Sequence, residues 1–135
     1  MKQTYTGGCH CGAVRYQVDM DLKQGTIRCN CSICSKARAW LAAVGGNDFR
    51  LLQGAEVLSD YQFGNKRIHH LFCKNCGIKS FGRGLGADGS EFIAVLVNCL
   101  DDVPPPSWRS CPSCTSTVCT TISNPLRRRR VICEL

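Results

Sequence analysis

Three cysteines stand close together in the stretch RCNCSICSKARAW, in a C-x-C-x-x-C spacing. They are Cys29, Cys31 and Cys34. Thiolates at such short spacings are typical ligands of zinc. A structural zinc is nearly always held by four protein ligands, whereas a catalytic zinc is held by three and keeps one position for water or substrate. The triplet therefore either has a fourth ligand elsewhere in the chain or forms an open site.

Two cysteine pairs accompany the triplet. CHC contributes Cys9 and Cys11, and CKNC contributes Cys73 and Cys76. Three close thiol clusters within about 70 residues strongly indicate a metal-binding protein. The two pairs could supply four ligands of a closed site and the triplet three ligands of an open one. If the triplet took a cysteine from one pair, the other three cysteines would form the open site, because seven thiolates cannot complete two tetrahedra.

The chain has 135 residues and twelve cysteines, and its length suits one domain with a modest core. No long apolar run predicts a membrane span, and MKQTYTGGCHCGAVRY has no apolar signal region before its first cysteines. We therefore expect a cytoplasmic protein with no membrane partner. In a reducing compartment, this density of cysteines favours metal thiolates over a disulfide scaffold.

Alternating apolar residues predict a mainly β fold. Val14, Tyr16 and Val18 alternate after the first cysteine pair, and HHLFC runs extended into the last pair. Further strands are predicted at WLAAV, FRLLQG, VLSDYQF and FIAVLVNC. Apart from about one turn near residues 35–39, no segment has a sustained helical period. We expect one compact domain over residues 1–103, in which the ends of strands carry the cysteines.

Four stretches of the chain, taken in order, resemble one protein family. YTGGCHCGAVRY, CNCSICSK, HHLFCKNCGIKSFGRG and NCLDD are similar to the glutathione-dependent formaldehyde-activating enzyme and centromere protein V family (CENP-V/GFA). The resemblance implies the β-rich Mss4-like fold and two zinc ions per chain. It maps a structural zinc to Cys9, Cys11, Cys73 and Cys76, and a catalytic zinc to Cys29, Cys31 and Cys34.

The resemblance also implies a carbon-sulfur lyase that forms or cleaves S-(hydroxymethyl)glutathione or a related adduct of a small thiol and an aldehyde. An open site of three thiolates suits this chemistry. A metal deprotonates a thiol that coordinates it, and a zinc with roughly one net negative charge holds a soft sulfur ligand better than it activates water. The alternative is a non-catalytic zinc module that binds protein or nucleic acid, as the centromere branch of the family name suggests.

Other polar residues allow competing interpretations of the site. His10, His69 or His70 could close the triplet as a fourth ligand, although neighbouring strand residues point to opposite faces, so at most one of the latter two can face the metal. Surface or cross-strand packing is the simpler interpretation of both. Lys36 and Arg38 could attract the carboxylates of glutathione or could form a solvated basic face.

The stretch SFGRGLG resembles a phosphate-binding loop but lacks the full nucleotide fingerprint and a following helix. We interpret Gly82, Gly84 and Gly86 as turn residues. Trp40 and Phe81 are interpreted as core residues.

Residues 104–135 depart from the family pattern. Codons that encode residues 105–125 can be chosen among their synonyms so that the shifted reading frame is also meaningful. Read from its third base, that DNA string encodes AELAELPVVYVDGLHDNFQP, a sequence typical of the family. We therefore predict that this basic, Cys-rich tail is frameshifted within a cytosine-rich run near residues 104–106.

On the frameshift hypothesis, CPSC at residues 111–114 is not a third metal site. The four arginines at residues 127–130 then form no evolved nucleic-acid site, although they contribute to a formal net charge of +7. Without them the charge would be about +3, which is unremarkable.

Overall fold

The computed structural model describes residues 1–101 and residue 103. In this part of the chain, nine strands and one short α-helix form the regular structure. The strands are β1 (Gln3–Gly8), β2 (Arg15–Met20), β3 (Ile27–Arg28), β4 (Trp40–Gly45), β5 (Phe49–Gln53), β6 (Leu58–Tyr61), β7 (Ile68–Cys73), β8 (Phe81–Leu85) and β9 (Glu91–Leu96). Helix α1 (Ser32–Ala37) lies between β3 and β4. Single 3-10 turns are found at Leu22–Gln24, Gly46–Asp48, Ala55–Val57 and Val97–Cys99.

The strands form two antiparallel sheets. The smaller sheet has the order β1-β2-β5, and the larger has the order β3-β4-β9-β8-β7-β6. The predicted mainly β fold is confirmed. HHLFC is in β7, and the other four predicted segments coincide with β4, β5, β6 and β9. The single predicted helical turn corresponds to the end of α1.

The hydrophobic core lies between the two sheets. The β2 side chains Tyr16, Val18 and Met20 are buried, and the residues between them are less so, because alternate side chains of a strand point to opposite faces. The Tyr16 ring contacts Phe49 of the small sheet and Phe81 of the large one, with ring centroids 5.2 Å and 5.7 Å away. Tilted and edge-on aromatic contacts of this kind add to the free energy gained from burial. Phe81 is thus a core residue, as predicted.

The face of the large sheet that points away from the small sheet, here called the outer face, carries α1. Leu41 of β4 pairs with Leu96 of β9 on this face, and both pack against Cys34 of α1 in a second, smaller apolar cluster. On the same face, but in the row of Ala94 rather than that of Leu96, His70 of β7 pairs with Gly82 of β8. The outer face therefore positions the helix that carries part of the cysteine triplet.

The interpretation of Gly82 and Gly84 as turn residues is wrong, since both belong to strand β8. Gly86 directly follows the strand and donates its N–H to the Ser90 carbonyl in the hairpin before β9. At Gly82 a Cβ atom would lie 2.9 Å from the His69 carbonyl oxygen, so the neighbouring strand leaves no room for a side chain. A glycine in a strand often marks such a close approach rather than a turn.

Within residues 1–101 and 103, no helix is long and apolar enough to cross a membrane. The predicted tail over residues 104–135, with its CPSC motif and arginine run, lies outside the described residues. The domain boundary at residue 103 and the frameshift therefore stay predictions.

We predict that Gly7→Ala destabilises the fold. A Cβ at Gly7 would lie 2.6 Å from the Cys99 carbonyl oxygen and 2.7 Å from the Tyr16 ring, and the backbone atom cannot move aside easily. We expect a loss of about 1–3 kcal/mol in the free energy of unfolding, measured by urea denaturation.

Gly45→Ala is the matched control, because the nearest atom to its Cβ is a carboxylate oxygen of Asp48 at 3.9 Å. This variant should stay within about 0.5 kcal/mol of the unaltered protein. Equal unfolding midpoints for the two variants would contradict the packing argument.

Candidate metal centre

Four cysteines from two distant parts of the chain meet in one group. Cys9 and Cys11 lie in the turn between β1 and β2, Cys73 ends β7, and Cys76 lies in the turn that follows. All four sulfur atoms lie within 4.8 Å of one another, with 3.5 Å between Cys9 and Cys11 and 3.7 Å between Cys11 and Cys73. Sulfur atoms at the corners of a tetrahedron around zinc, with Zn–S bonds of about 2.3 Å, lie about 3.8 Å apart. The four-cysteine group therefore fits a tetrahedral metal ion.

Two tight turns present these sulfur atoms. Gly12 donates its N–H to the Cys9 carbonyl, and Gly77 donates to the Cys73 carbonyl. Both glycines have a positive φ, +79° and +73°, a backbone conformation that other residues adopt at a cost. The CHCG and CKNCG sequences thus form two similar turns whose cysteines face each other.

Backbone N–H groups favour the thiolate form within the four-cysteine group. The amides of Cys11 and Ile78 lower the pKa of Cys76 to about 6. Burial opposes ionisation of Cys9, but the Val14 amide, which donates to its sulfur at 3.3 Å, and the neighbouring thiols outweigh burial and lower its pKa. Because metal ligands must be deprotonated, these amides prepare the group for a cation.

The triplet forms the second group. Cys29 follows β3, Cys31 immediately precedes α1, and Cys34 lies within the helix. Their sulfur atoms lie within 4.8 Å of one another, and Cys34 is only 6% exposed. A Ser35 hydroxyl bond to the Asn30 carbonyl, 2.9 Å long, fixes the loop onto the first turn of α1.

The thiols of the triplet differ in acidity. Burial opposes ionisation of Cys31, but the nearby amide of Cys34 and the other thiols prevail and lower its pKa. Burial, assisted by Cys31, raises the pKa of Cys34 to about 12. Since Cys34 must lose its proton to bind a metal, metal binding at the triplet releases protons and weakens in acid.

Within the described part of the chain, no histidine, carboxylate or further cysteine joins the triplet at ligand spacing. His10 is exposed, His69 pairs with Asp60, and His70 contacts Lys79. The histidines thus make the surface and cross-strand contacts that the sequence favoured. Lys36 and Arg38 of the basic face are exposed. The assignment of all seven cysteines as metal ligands stays a prediction.

Sequence reasoning missed the residues beside His70. The Phe63 ring stacks on the His70 imidazole at a centroid distance of 5.3 Å, and Tyr61 stacks on Phe63 at 5.8 Å. Lys79 brings its Nζ to 2.8 Å from the His70 Nδ1. Burial, with a smaller effect of the Lys79 charge, lowers the pKa of His70 to about 4, so its imidazole is neutral at neutral pH. No motif marks these residues, because strand pairing rather than sequence spacing brings them together.

Cys99 is a further cysteine that belongs to neither group. It packs against the smaller apolar cluster that contains Cys34, here called the triplet cluster. Its thiol donates a hydrogen bond to the Lys79 carbonyl oxygen at 3.8 Å. Burial raises the pKa of its thiol to about 11. All eight described cysteines are free of disulfide bonds, in agreement with the preference for thiolates over a disulfide scaffold.

The fold and the two cysteine groups define a small β domain that could hold two metal ions, a donor set compatible with zinc. The model of the family described as "Glutathione-dependent formaldehyde-activating enzyme" matches residues 4–110, and the chain belongs to this family.

Two known proteins are similar to this chain. A Halomonas elongata protein named "Putative glutathione-dependent formaldehyde-activating enzyme" is 40% identical over 60 residues, which span 42% of this chain and 38% of that protein. The chain thus matches well under half the length of this curated relative. The crystal structure of a Rhodobacter sphaeroides protein superimposes with a TM-score of 0.67 and 36% identity, covering 76% of this chain and 94% of that one.

We predict that the two cysteine groups differ in their effect on stability. Cys73→Ser should lose one metal equivalent and lower the Tm by more than about 10 °C, because Cys73 is 0% exposed and links β7 to the β1–β2 turn. Cys31→Ser should lose the other equivalent but lower the Tm by less than about 5 °C, because the triplet lies on the outer face. Metal analysis and calorimetry measure both quantities. Equal Tm losses would contradict the distinction.

We also predict a stability change that depends on the pH through His70. The pKa of His70 is about 4 in the folded protein and 6.5 as the ordinary value, so between these limits the unfolded chain binds more protons. Stability is therefore lost as the pH falls from about 6.5 towards 4, by up to about 3 kcal/mol. Urea denaturation gives the free energy of unfolding of the unaltered protein and of His70→Gln at each pH, and any loss of metal common to both cancels in the difference. As the pH falls, the unaltered protein should lose more stability than His70→Gln. A difference that stays constant with pH would sink the idea.

Proposed function

We propose that the protein is a zinc-dependent carbon-sulfur lyase that joins a small thiol to an aldehyde. The family name points to glutathione and formaldehyde as the pair. In this reaction the thiol loses its proton to solvent, its sulfur forms a bond to the carbonyl carbon, and the carbonyl oxygen takes up a proton from solvent to give S-(hydroxymethyl)glutathione. The reverse reaction breaks the same bond, so no oxidant or reductant is needed.

One observation carries the proposal: the described cysteines form one group of four and one group of three. Four thiolates complete a tetrahedral zinc site, whereas three leave a position for an exchangeable ligand. A purely structural module would gain nothing from that position. We therefore assign the structural zinc to Cys9, Cys11, Cys73 and Cys76, and the catalytic zinc to Cys29, Cys31 and Cys34.

The surroundings of each group suit these roles. The four-cysteine group joins the β1–β2 turn to the end of β7, next to the core between the sheets, so a metal there would hold the two sheets together. The triplet lies on the outer face, where Cys29 and Cys31 are half-buried and within reach of a small molecule. When bound at the triplet, zinc would keep a substrate sulfur in its thiolate form and polarise a carbonyl as a Lewis acid.

Exposed cations of α1 contribute to the proposal. Lys36 and the αL residue Arg38 follow Cys34 closely and are exposed, so they can draw the carboxylates of glutathione towards the triplet. The described cysteines form no disulfide bonds, which suits a reducing compartment, and we propose a cytoplasmic enzyme whose partners are a small thiol and an aldehyde.

The test begins with zinc analysis and X-ray absorption at the zinc edge during a titration with glutathione. We expect two zinc ions per chain and a mean sulfur coordination that rises from about 3.5 to about 4 as glutathione is added. Two zinc ions whose coordination ignores glutathione would instead favour a non-catalytic zinc module.

Activity is then measured by NMR exchange between formaldehyde and S-(hydroxymethyl)glutathione. The unaltered protein should accelerate the exchange, and Cys31→Ser should abolish that acceleration. Cys99→Ala is the matched control, because it removes a thiol that lies in neither cysteine group. Exchange that proceeds equally with Cys31→Ser would show that the triplet is not the reacting site.

A further inference from the structure

Lys79 is a cation held in a defined place beside the outer face. Its ammonium donates to the His70 Nδ1 at 2.8 Å, and the neutral imidazole accepts because its pKa is lowered to about 4. The end of the lysine side chain lies over Gly82, where a Cβ would be 3.6 Å from Cε and 3.8 Å from Nζ. The side chain is half-buried, so the structure fixes its position more firmly than that of an exposed lysine.

The described part of the chain gives Lys79 no carboxylate partner. Each salt bridge there joins other groups, and the imidazole that accepts from Lys79 is uncharged at neutral pH. A half-buried charge without a counter-ion is costly, because it loses hydration without regaining a charge partner. Burial accordingly lowers the pKa of Lys79, and the negative charges of Cys34, Cys31 and Cys29 oppose that effect.

Two contacts place Lys79 next to the triplet. Gly82, over which the lysine lies, pairs in the sheet with Ala94, and Ala94 packs against the triplet cluster. Cys99, which packs against the same cluster, donates its thiol to the Lys79 carbonyl. When the triplet thiols are ionised, their negative charges act on this cation.

We propose that Lys79 is a positioning residue that favours binding of a substrate thiolate at the triplet, by offsetting the negative charge that accumulates there. The inference deepens the proposed function and depends on it. Three thiolates and a zinc ion carry roughly one net negative charge, and a fourth sulfur bound as thiolate adds another. The proton of the incoming thiol leaves to solvent. A fixed cation nearby makes the second negative charge easier to accept.

This role is distinct from recognition of the substrate's carboxylates. A cation that acts on the sulfur should matter for every thiol, including one with no carboxylate. A cation that binds a carboxylate should matter for glutathione alone.

The experiment uses the full chain loaded with cobalt in place of zinc, because an added thiolate that binds to the cobalt then changes its absorption spectrum, a change that does not depend on turnover. The probes are 2-mercaptoethanol and glutathione, titrated separately. Lys79→Gln removes the charge but keeps a donor for His70, Lys79→Met removes both, and Lys79→Arg keeps the charge. Lys36→Gln is the matched control, because it removes the same charge from an exposed position two residues after Cys34.

We expect Lys79→Gln and Lys79→Met to raise the Kd of both thiols roughly tenfold, the effect of a nearby opposite charge. Lys79→Arg should restore most of the affinity, and Lys36→Gln should change it by less than about twofold. The far-ultraviolet spectrum and the Tm of each variant check folding. If either Lys79→Gln or Lys79→Met fails to fold, the Kd values of the other variant and of Lys79→Arg still test the inference.

Three results would overturn the inference. Unchanged Kd values in a folded neutral variant would make Lys79 a structural residue only. Weakened binding of glutathione alone would assign Lys79 to carboxylate recognition. If no thiol changed the cobalt spectrum of the unaltered protein, the proposed function would fail and the inference with it, whereas the first two results leave the proposed function intact.

Discussion

The pleat of strand β7 is the constraint on which the four-cysteine group and the position of Lys79 both depend. Alternate residues of a strand point to opposite faces, so Leu71 and Cys73 face the core while His70 faces outward. Cys73 therefore reaches the four-cysteine group between the sheets, and His70 holds Lys79 on the side of the triplet. A shift of one residue in the pairing of β7 with β8 would exchange the two faces. It would separate Cys73 from its partners and bury the imidazole in the core at once.

Different groups offset the negative charge of the thiolates in the two cysteine groups. In the four-cysteine group, backbone amides from the two turns point at the sulfur atoms, as the donor from Val14 to Cys9 shows. In the proposed structural site, four thiolates would thus be balanced by the metal and by dipoles that belong to the fold itself. Beside the triplet, where amides also favour the thiolate of Cys31, the fixed charge of Lys79 is added.

The parts of the fold that the sequence predicts are those with many apolar residues. The alternation of β2 and the apolar runs of β4 and β9 predict strands, whereas three other strands are missed for physical reasons. β1 is QTYTGG and has little apolar surface, β3 has two residues, and β8 is FGRGL, whose glycines imitate a turn. In the site, the cysteine clusters can be predicted from the sequence because their spacing is local. The contact of Lys79 with His70 cannot be predicted in this way, since it results from the register of β7 and β8.

Gly82 connects the missed strand to the missed residues. A glycine inside a strand costs roughly 0.5–1 kcal/mol relative to alanine, because it loses more backbone freedom on folding. At this position the His69 carbonyl excludes a Cβ atom from one side, and the Lys79 side chain occupies the space above. A side chain longer than that of alanine would extend into the space that the end of the lysine side chain occupies. Gly82 thus has two effects: it makes the sequence of β8 resemble a turn, and it leaves room for the Lys79 cation beside the cysteine triplet.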